Sequence, residues 1–382
     1  MLLFYLSAAV LVVWIILGLE LIIGMRRINY LRDIPVATDT ALPKISIIIP
    51  ARNEERNIRE ALQSILQQDY PSLEFIIIND RSTDNTGTIL NELAAADSRL
   101  TVYTITDLPP GWLGKNHALH YGAARAAGEI ILFSDADVVM QPSAISRAVN
   151  YLQKNTLDHL TIAPVITVHH PVYGIFIMSF CIFFLLYTLP WRAAKPDNKK
   201  HIGVGAFNMV RADVYRAIGG HEPIALRPDD DLKLGKLIKI NGYRQGFLHG
   251  TDLMMVEWYA SIREMIHGLM KNAFAGVNYS IATIIGTTFL QLVLNVWPFI
   301  ALFVTSGPAW LFSLLAVLII LVLGIDSSRP QKLNPWYCLG FPLGTLMFLY
   351  ILWRAMILNL KDDGIYWRGT HYSLAKLKAN KL

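Results

Sequence analysis

Charge is scarce in this sequence. Only 16% of its 382 residues are Asp, Glu, Lys or Arg, against roughly 25% in a soluble globular chain. Hydrophobic residues make up 53% and the mean hydropathy is +0.39. That balance excludes an ordinary cytosolic enzyme, and with 11% aromatics it also excludes a disordered chain. Cysteine is nearly absent. Cys181 and Cys338 both lie in apolar runs, which excludes a disulfide framework and a cysteine metal site. A strong basic excess is lacking too. The net charge of +5 fits the cytoplasmic Lys and Arg of a membrane protein rather than a nucleic-acid surface.

What charge there is falls unevenly. Residues 1–25 hold no Lys or Arg, and Arg26, Arg27 and Arg32 follow at once. Residues 281–325 hold no charge, and residues 335–360 hold only Arg354. This pattern predicts an N-terminal transmembrane helix over 1–25, a linker over 26–43 and a cytoplasmic domain over 44–280. Transmembrane helices then fill 281–360, and a basic tail occupies 361–382. The first run is longer than the apolar core of a signal peptide and no small-residue cleavage site follows it. At ~1.5 Å per residue it reaches across a ~30 Å hydrocarbon core. Lys and Arg on its C-terminal side alone place residue 26 onward in the cytoplasm. Thr305-Ser306-Gly307-Pro308 breaks the 281–325 run into a helical hairpin. One crossing plus three leaves the tail outside, against its positive charge. Gly340, Pro342 and Gly344 offer a break that makes the last run re-entrant.

The middle of the chain reads as α/β. Ile45–Ile49, Phe75–Ile78 and Ile130–Phe133 are continuous apolar runs, as buried parallel strands require. Helical segments are expected between them, near 54–68, 85–96 and 116–127. The alternation predicts a doubly wound sheet, whose ligands bind at the carboxyl ends of the strands. Each of the three runs ends in polar or turn residues suited to that task.

Four constellations carry chemistry. Asp135-Ala136-Asp137 follows the third run. Carboxylates at i and i+2 of an extended segment share a side and can hold Mg²⁺ or Mn²⁺, although many such triplets only cap a strand. Asp80, after the second run, can accept a nucleobase N–H, while Thr83 or Asp84 caps the next helix. Pro50, Ala51 and Glu54 lie at the neighbouring strand end. Lys115 stands at a helix start, where the dipole disfavours a cation unless an anion such as a diphosphate is bound. Finally, Asp229-Asp230-Asp231 opens a further helix. It is either a solvated helix start or a general base with a positioning acid.

In this order the four constellations resemble the family 2 glycosyltransferases over about residues 44–280. The resemblance rests on Ser46–Glu54, Asn79–Asp84, Gly114–Leu119, Asp135–Asp137, Gly203–Phe207 and Asp230–Gly235. It implies the inverting GT-A fold, a Rossmann-like mixed α/β sheet. It implies a nucleotide-sugar donor bound at Pro50, Ala51, Glu54, Asp80, Lys115 and Asp135. A divalent cation on Asp135 and Asp137 is implied, with Asp137 the direct ligand. Asp231 matches the presumed catalytic base, Asp230 stands where the family usually has Glu, and Gly205 matches a glycine near the acceptor. UDP is the usual donor nucleotide.

Two departures narrow the expectation. Processive members carry Gln-x-x-Arg-Trp after the base, and Tyr259–Gly268 lacks it. A polysaccharide synthase therefore ranks behind a lipid glycosyltransferase, and the intact Asp135, Asp137 and Asp231 set an inactive membrane scaffold behind it as well. Glu264–Asn272 resembles transferases that glycosylate carotenoids or hopanoids. Trp367–Tyr372 resembles the end of ceramide glucosyltransferases, where that tail is cytoplasmic. The implied protein is a multi-pass enzyme of the cell's inner membrane, with its acceptor lipid in the bilayer. The run 172–191 is long enough to span, yet Asp137 precedes it and Asp231 follows it. If both act on one sugar, this run is an interfacial helix.

Overall fold

The computed structural model describes residues 1–38 and 42–382. Residues 39–41, inside the segment expected to be a linker, lie outside the described residues. The chain forms two compact units, each assembled from separate stretches. An α/β unit contains residues 28–167, 190–258 and 379–382, and a helical unit contains 1–27, 168–189 and 259–378. The boundaries therefore differ from the linear division that charge suggests. Part of the expected linker is a strand, and the stretch 259–280 joins the helical unit.

The strands of the α/β unit are β1 (Asn29–Tyr30), β2 (Ile45–Ala51), β3 (Leu73–Asp80), β4 (Leu100–Ile105), β5 (Ile130–Phe133), β6 (Val138–Met140), β7 (His159–Ala163), β8 (Val165–Ile166), β9 (Asn208–Arg211), β10 (Gln245–His249) and β11 (Met254–Val256). Eight of them form one sheet in the order β1-β10-β7-β9-β5-β2-β3-β4. All neighbours are parallel except β9, which runs antiparallel to both β5 and β7. The three runs expected as strands are the adjacent β5, β2 and β3. Their side chains alternate between two cores: Ile47, Ile49, Ile77 and Leu132 on one face, Ile48, Ile78, Ile131 and Phe133 on the other. Both faces are covered, so the runs are apolar at every position. Each such buried side chain contributes about 1.5–3 kcal/mol.

This topology positions the site. Parallel β2, β3 and β5 bring residues 50–54, Asp80 and Asp135 to one edge of the sheet. Because β9 is reversed, its start lies beside the end of β5, with Asn208 opposite Phe133. The loop just before β9, containing Gly203 and Gly205, is thereby delivered to the same edge.

Among the described residues, five helices are long and apolar enough to cross a membrane: Leu2–Met25, Pro171–Ala193, Ile281–Val304, Gly307–Ser328 and Pro335–Lys361. Apolar side chains point outward from them. Phe303 is 89% and Phe289 71% exposed, a surface that suits lipid rather than water. Small residues allow close packing: Gly18 abuts Ile319, Gly344 abuts Ser179, and Gly324 abuts Cys338. The Trp14 indole N–H donates to the Leu294 carbonyl at 2.8 Å, and Trp353 donates to the Thr288 hydroxyl at 2.9 Å. The expected hairpin is present, broken at Thr305 and Ser306. Around Gly340 the last run changes from a 3-10 turn to an α-helix and remains one candidate span. The 172–191 run is the helix Pro171–Thr188, ended by Leu189 at φ 44°. Its Phe183 ring meets Phe341 and Phe348. The tail is ordered as a hairpin, Gly364–Trp367 with Thr370–Ser373. Lys271 lies 4.3 Å over the Trp367 ring, which joins the two segments that resemble lipid transferases.

Candidate active site

Lys115 belongs to the helix Gly114–Ala123. Its ammonium Nζ lies 2.8 Å from Asp135 Oδ1 and 3.5 Å from Asp230 Oδ2. Burial acts to lower its pKa, but Asp135, Asp230 and Asp231 outweigh that and hold it above the ordinary lysine value. The helix start has its cation because carboxylates converge on it. Gly114 leaves room for the Asp80 carboxylate, since a Cβ would lie 2.5 Å from its Oδ2. Buried Asn116 donates to the carbonyls of Ile224 (2.8 Å), Ala225 (3.2 Å) and Arg227 (2.9 Å). It ties the lysine helix to the segment that leads into Asp230.

The Asp229-Asp230-Asp231 run divides by role. Asp229 is buried against Arg227 at 2.9 Å and Lys233 at 3.3 Å, and so holds the fold together. Asp230 and Asp231 face the cleft with Lys115 and Asp135. Asp231 Oδ2 accepts from the Gly205 N–H at 2.9 Å, and Oδ1 accepts from the Leu232 N–H at 2.7 Å. Burial, then the neighbouring Asp230, pushes the Asp231 carboxyl up to about 7, with Lys115 opposing. Two glycines set this geometry. A Cβ on Gly203 would stand 1.9 Å from the Asp231 carbonyl, and one on Gly235 would stand 1.9 Å from the Ile202 carbonyl. Only glycine lets the 202–205 backbone lie directly on the helix Asp230–Ile240.

Asp137 is partly buried, and its carboxyl is pushed up to about 8 by burial, then by Asp135 and Glu54. The negative charge gathered here suits a cation. Among the described residues, no group of three or more His, Cys, Asp or Glu is arranged to hold a metal ion. Asp135 and Asp137 together fit the hard-cation pattern in which protein supplies one or two carboxylates and substrate phosphates and water supply the rest.

The expected nucleoside residues lie in two latched loops. The Asn53 side-chain oxygen accepts from Thr83 N–H at 2.8 Å, and Glu54 N–H donates to the Thr86 hydroxyl at 2.8 Å. Ala51 is buried and Pro50 partly buried at the end of β2. Asp80 is buried and holds Arg81 in a two-pronged pair, Nε at 2.7 Å and a terminal nitrogen at 3.0 Å. Asp84 accepts from Thr86 N–H at 3.0 Å, but the N-cap position of the helix Thr86–Ala96 is Asn85, not the expected Thr83 or Asp84.

Lys115, Asp135, Gly205, Asp230 and Asp231 thus line one cleft, with Asp137 and Glu54 adding charge beside Asp135. The cleft also takes in Asn208 and His221, which no sequence motif singled out. A polar residue buried beside an apolar strand has no periodic signature, so only the topology reveals them.

Residues 46–219 match the family described as Glycosyl transferase family 2. These residues form a family 2 glycosyltransferase domain. A 4,4'-diaponeurosporenoate glycosyltransferase from Staphylococcus haemolyticus is 27% identical over 239 residues, 61% of this chain and 62% of the relative. One from Staphylococcus aureus strain USA300 is 40% identical over 111 residues, 28% of each chain. This chain thus spans less than two thirds of either relative. Among solved structures, the mannosyltransferase PcManGT of Pyrobaculum calidifontis, in complex with GDP-Man and Mn²⁺, superposes with a TM-score of 0.56. It is 20% identical, over 94% of this chain and 99% of that one, and so supports the GT-A fold. The matched family 2 domain includes Lys115, Asp135, Asp137 and Gly205. It stops before Asp230 and Asp231, which the folded chain returns to the same cleft.

Proposed function

We propose that the protein is an inverting glycosyltransferase that moves a sugar from a nucleotide-sugar donor, a UDP-sugar, to a hydroxyl of a membrane lipid. The observation that carries this reading is the Asp231 carboxyl, pushed up to about 7 and fixed by Gly205 in the cleft that holds Lys115 and Asp135. A base in that range is half ionised at neutral pH, as general-base work requires. Asp231 takes the proton of the acceptor hydroxyl as its oxygen forms a bond to the anomeric carbon. The bond from that carbon to the phosphate oxygen breaks, and the nucleoside diphosphate leaves with the electron pair. One displacement inverts the configuration. Lys115 stays cationic and offsets charge growing on the leaving group. Asp230 holds Lys115 in place. Asp135 and Asp137 are the residues that would hold Mg²⁺ or Mn²⁺, which when bound supplies further neutralisation of the diphosphate.

A lipid acceptor is supported by the relatives' name, by the outward apolar surface of the helical unit, and by Lys271 on Trp367. The helix Pro171–Thr188 leaves the α/β unit after residue 167 and its chain rejoins it at 190. We read it as interfacial, delivering acceptor to a cytoplasmic site in the inner membrane. The test is incubation of membranes containing the protein with labelled nucleotide sugars, followed by lipid extraction. Label in the organic phase, lost in Asp231→Asn, is expected. Label confined to insoluble polymer, or unchanged in Asp231→Asn, overturns the reading.

A further inference from the structure

The inner wall of the cleft is formed by Asn208 and His221, beside Phe133, Leu119 and Leu234. Neither polar side chain belongs to the charged cluster. Both are almost wholly buried, at 2% and 1% exposure, and both are held by buried partners that dictate their hydrogen-bonding polarity.

For Asn208 the polarity propagates from a backbone carbonyl. The Gly235 carbonyl, on the helix that carries Asp231, can only accept. It takes a hydrogen bond from Gln245 Nε2 at 2.7 Å, so Gln245 presents its NH₂ end. The same NH₂ lies 3.1 Å from His159 Nδ1, which therefore accepts. His159 is wholly buried, and burial keeps its ring neutral, with a pKa down to about 4. Its single ring proton is thus on Nε2, which faces Asn208 Oδ1 and donates to it. With Oδ1 so engaged, the Asn208 amide offers its NH₂ as the remaining group.

For His221 the controlling partner is Tyr215. The Tyr215 hydroxyl is buried and lies 2.7 Å from His221 Nδ1. A buried phenol O–H needs an acceptor, and Nδ1 supplies it, so the ring proton of the neutral imidazole sits on Nε2. Burial first, then His120 and Lys115, drives the ring pKa down to about 3, so the imidazole is neutral. Phe133 fixes its plane edge-on at 5.0 Å.

We infer that Asn208 and His221 form a neutral, donor-only wall that reads oxygens of the transferred sugar and sets which sugar is accepted. The inference rests on the glycosyltransferase reading and names specificity residues within that site. The surrounding chemistry favours a sugar ring over the diphosphate. Asp230 and Asp231 repel phosphate but accept from sugar hydroxyls. Leu119, Phe133 and Leu234 suit the C–H face of a ring. A small site with donors on one side, acceptors on the other and an apolar floor recognises a polyhydroxyl ligand. Rejection is strong because a buried donor left without an acceptor is costly.

The test uses the full-length protein in membranes. Donors carry one nucleotide and differ in the sugar, as epimers and as analogues lacking single hydroxyls. Asn208→Asp and His221→Phe keep shape and remove a donor. For the preferred sugar, kcat/KM is expected to fall about 10- to 100-fold, while inhibition by free nucleoside diphosphate stays within about twofold. Each variant should also lose discrimination against one deoxy analogue, so that the two losses do not add. His221→Gln keeps an N–H donor and should retain most activity, which guards against a folding defect in the phenylalanine variant. Unchanged discrimination in both donor-removing variants overturns the inference while leaving the glycosyltransferase reading intact, provided Asp231→Asn is inactive. Weakened diphosphate inhibition in parallel with activity overturns it in favour of a structural role. Absence of transfer from every donor by the unmodified protein overturns the reading and this inference together.

Discussion

A single ammonium joins Asp135 and Asp230, which lie far apart in sequence: Lys115 Nζ is 2.8 Å from the first and 3.5 Å from the second. The donor end and the base end of the cleft therefore share one counter-charge. Lys115→Met is expected to lower kcat by roughly 10²–10³ and to weaken donor binding. Lys115→Arg should not restore activity, because a planar guanidinium cannot put one point charge where Nζ lies between Asp135 and Asp230. Steady-state kinetics on both variants checks this, and a fully active arginine variant would contradict the need for a point charge.

Adjacent aspartates should respond in opposite ways. Asp231→Asn keeps an oxygen to accept from Gly205 N–H and gives up the bond from Leu232 N–H, a loss of about 1 kcal/mol, so Tm should fall only slightly while transfer falls about 10²–10⁴-fold. Asp229→Asn removes the counter-charge of buried Arg227 and Lys233. It should cost about 3–5 kcal/mol of stability and lower Tm, with KM for donor little changed in the folded fraction. Thermal melts paired with kinetics separate the two.

The pH profile follows from Asp231. A general base works when ionised, and this carboxyl ionises near 7. The profile of kcat/KM should therefore carry an acid limb centred near 7, falling tenfold per pH unit below it. A limb near 4 would assign the base to an unperturbed carboxylate instead.

Stability should show the reverse trend in chelator. With folded-state values near 8 for Asp137 and 7 for Asp231, the native state binds more protons than the unfolded chain between about pH 4 and 8. Stability therefore falls as pH rises through that window. Tm at pH 8 should lie below Tm at pH 5. Adding Mn²⁺ with nucleoside diphosphate should raise Tm more at pH 8, because the ligands must be deprotonated. Equal shifts at the two pH values would argue against Asp135 and Asp137 as the cation's ligands.

Membrane sidedness is testable at the chain's end. The Asn380 side chain accepts from Leu226 N–H at 3.1 Å and donates to the Pro223 carbonyl at 2.9 Å. Residue 380 is expected on the same side as residues 190–258, so an even number of crossings separates residues 258 and 379. One of the three long helices in that interval then does not cross. Thiol labelling of cysteines placed at positions 213 and 380 should give the same sidedness. Opposite labelling would exclude this topology.

Much of the architecture was legible in the sequence. Strands with both faces buried are apolar at every position, so β2, β3 and β5 stood out, as did the helical hairpin at Thr305–Pro308. The reversed β9 was not legible. Its four residues, Asn208–Arg211, mix polar and apolar types, and its direction is set by pairing with β5 and β7. Within the site, carboxylates at strand ends announced themselves. The division of Asp229 from Asp230 and Asp231 did not, because it depends on Arg227, whose burial only the fold creates. Asp80 was expected to await a nucleobase, and its two-pronged pair with Arg81 is a contact between sequence neighbours that composition cannot orient. The linear division into domains missed that the α/β unit is built from three separate stretches.

The glycine contacts at Gly203 and Gly235 have a mechanical consequence. Backbone laid on backbone leaves no side chain that can rotate to open a gap. The loop bearing Gly205 and the helix bearing Asp231 must therefore travel as one piece. The lysine helix is fastened to the same piece, because Asn116 holds the carbonyls of Ile224, Ala225 and Arg227. In such an arrangement the Gly205 N–H keeps its hold on Asp231, and the carboxylates and the ammonium of the cleft hold their spacing as a single rigid frame.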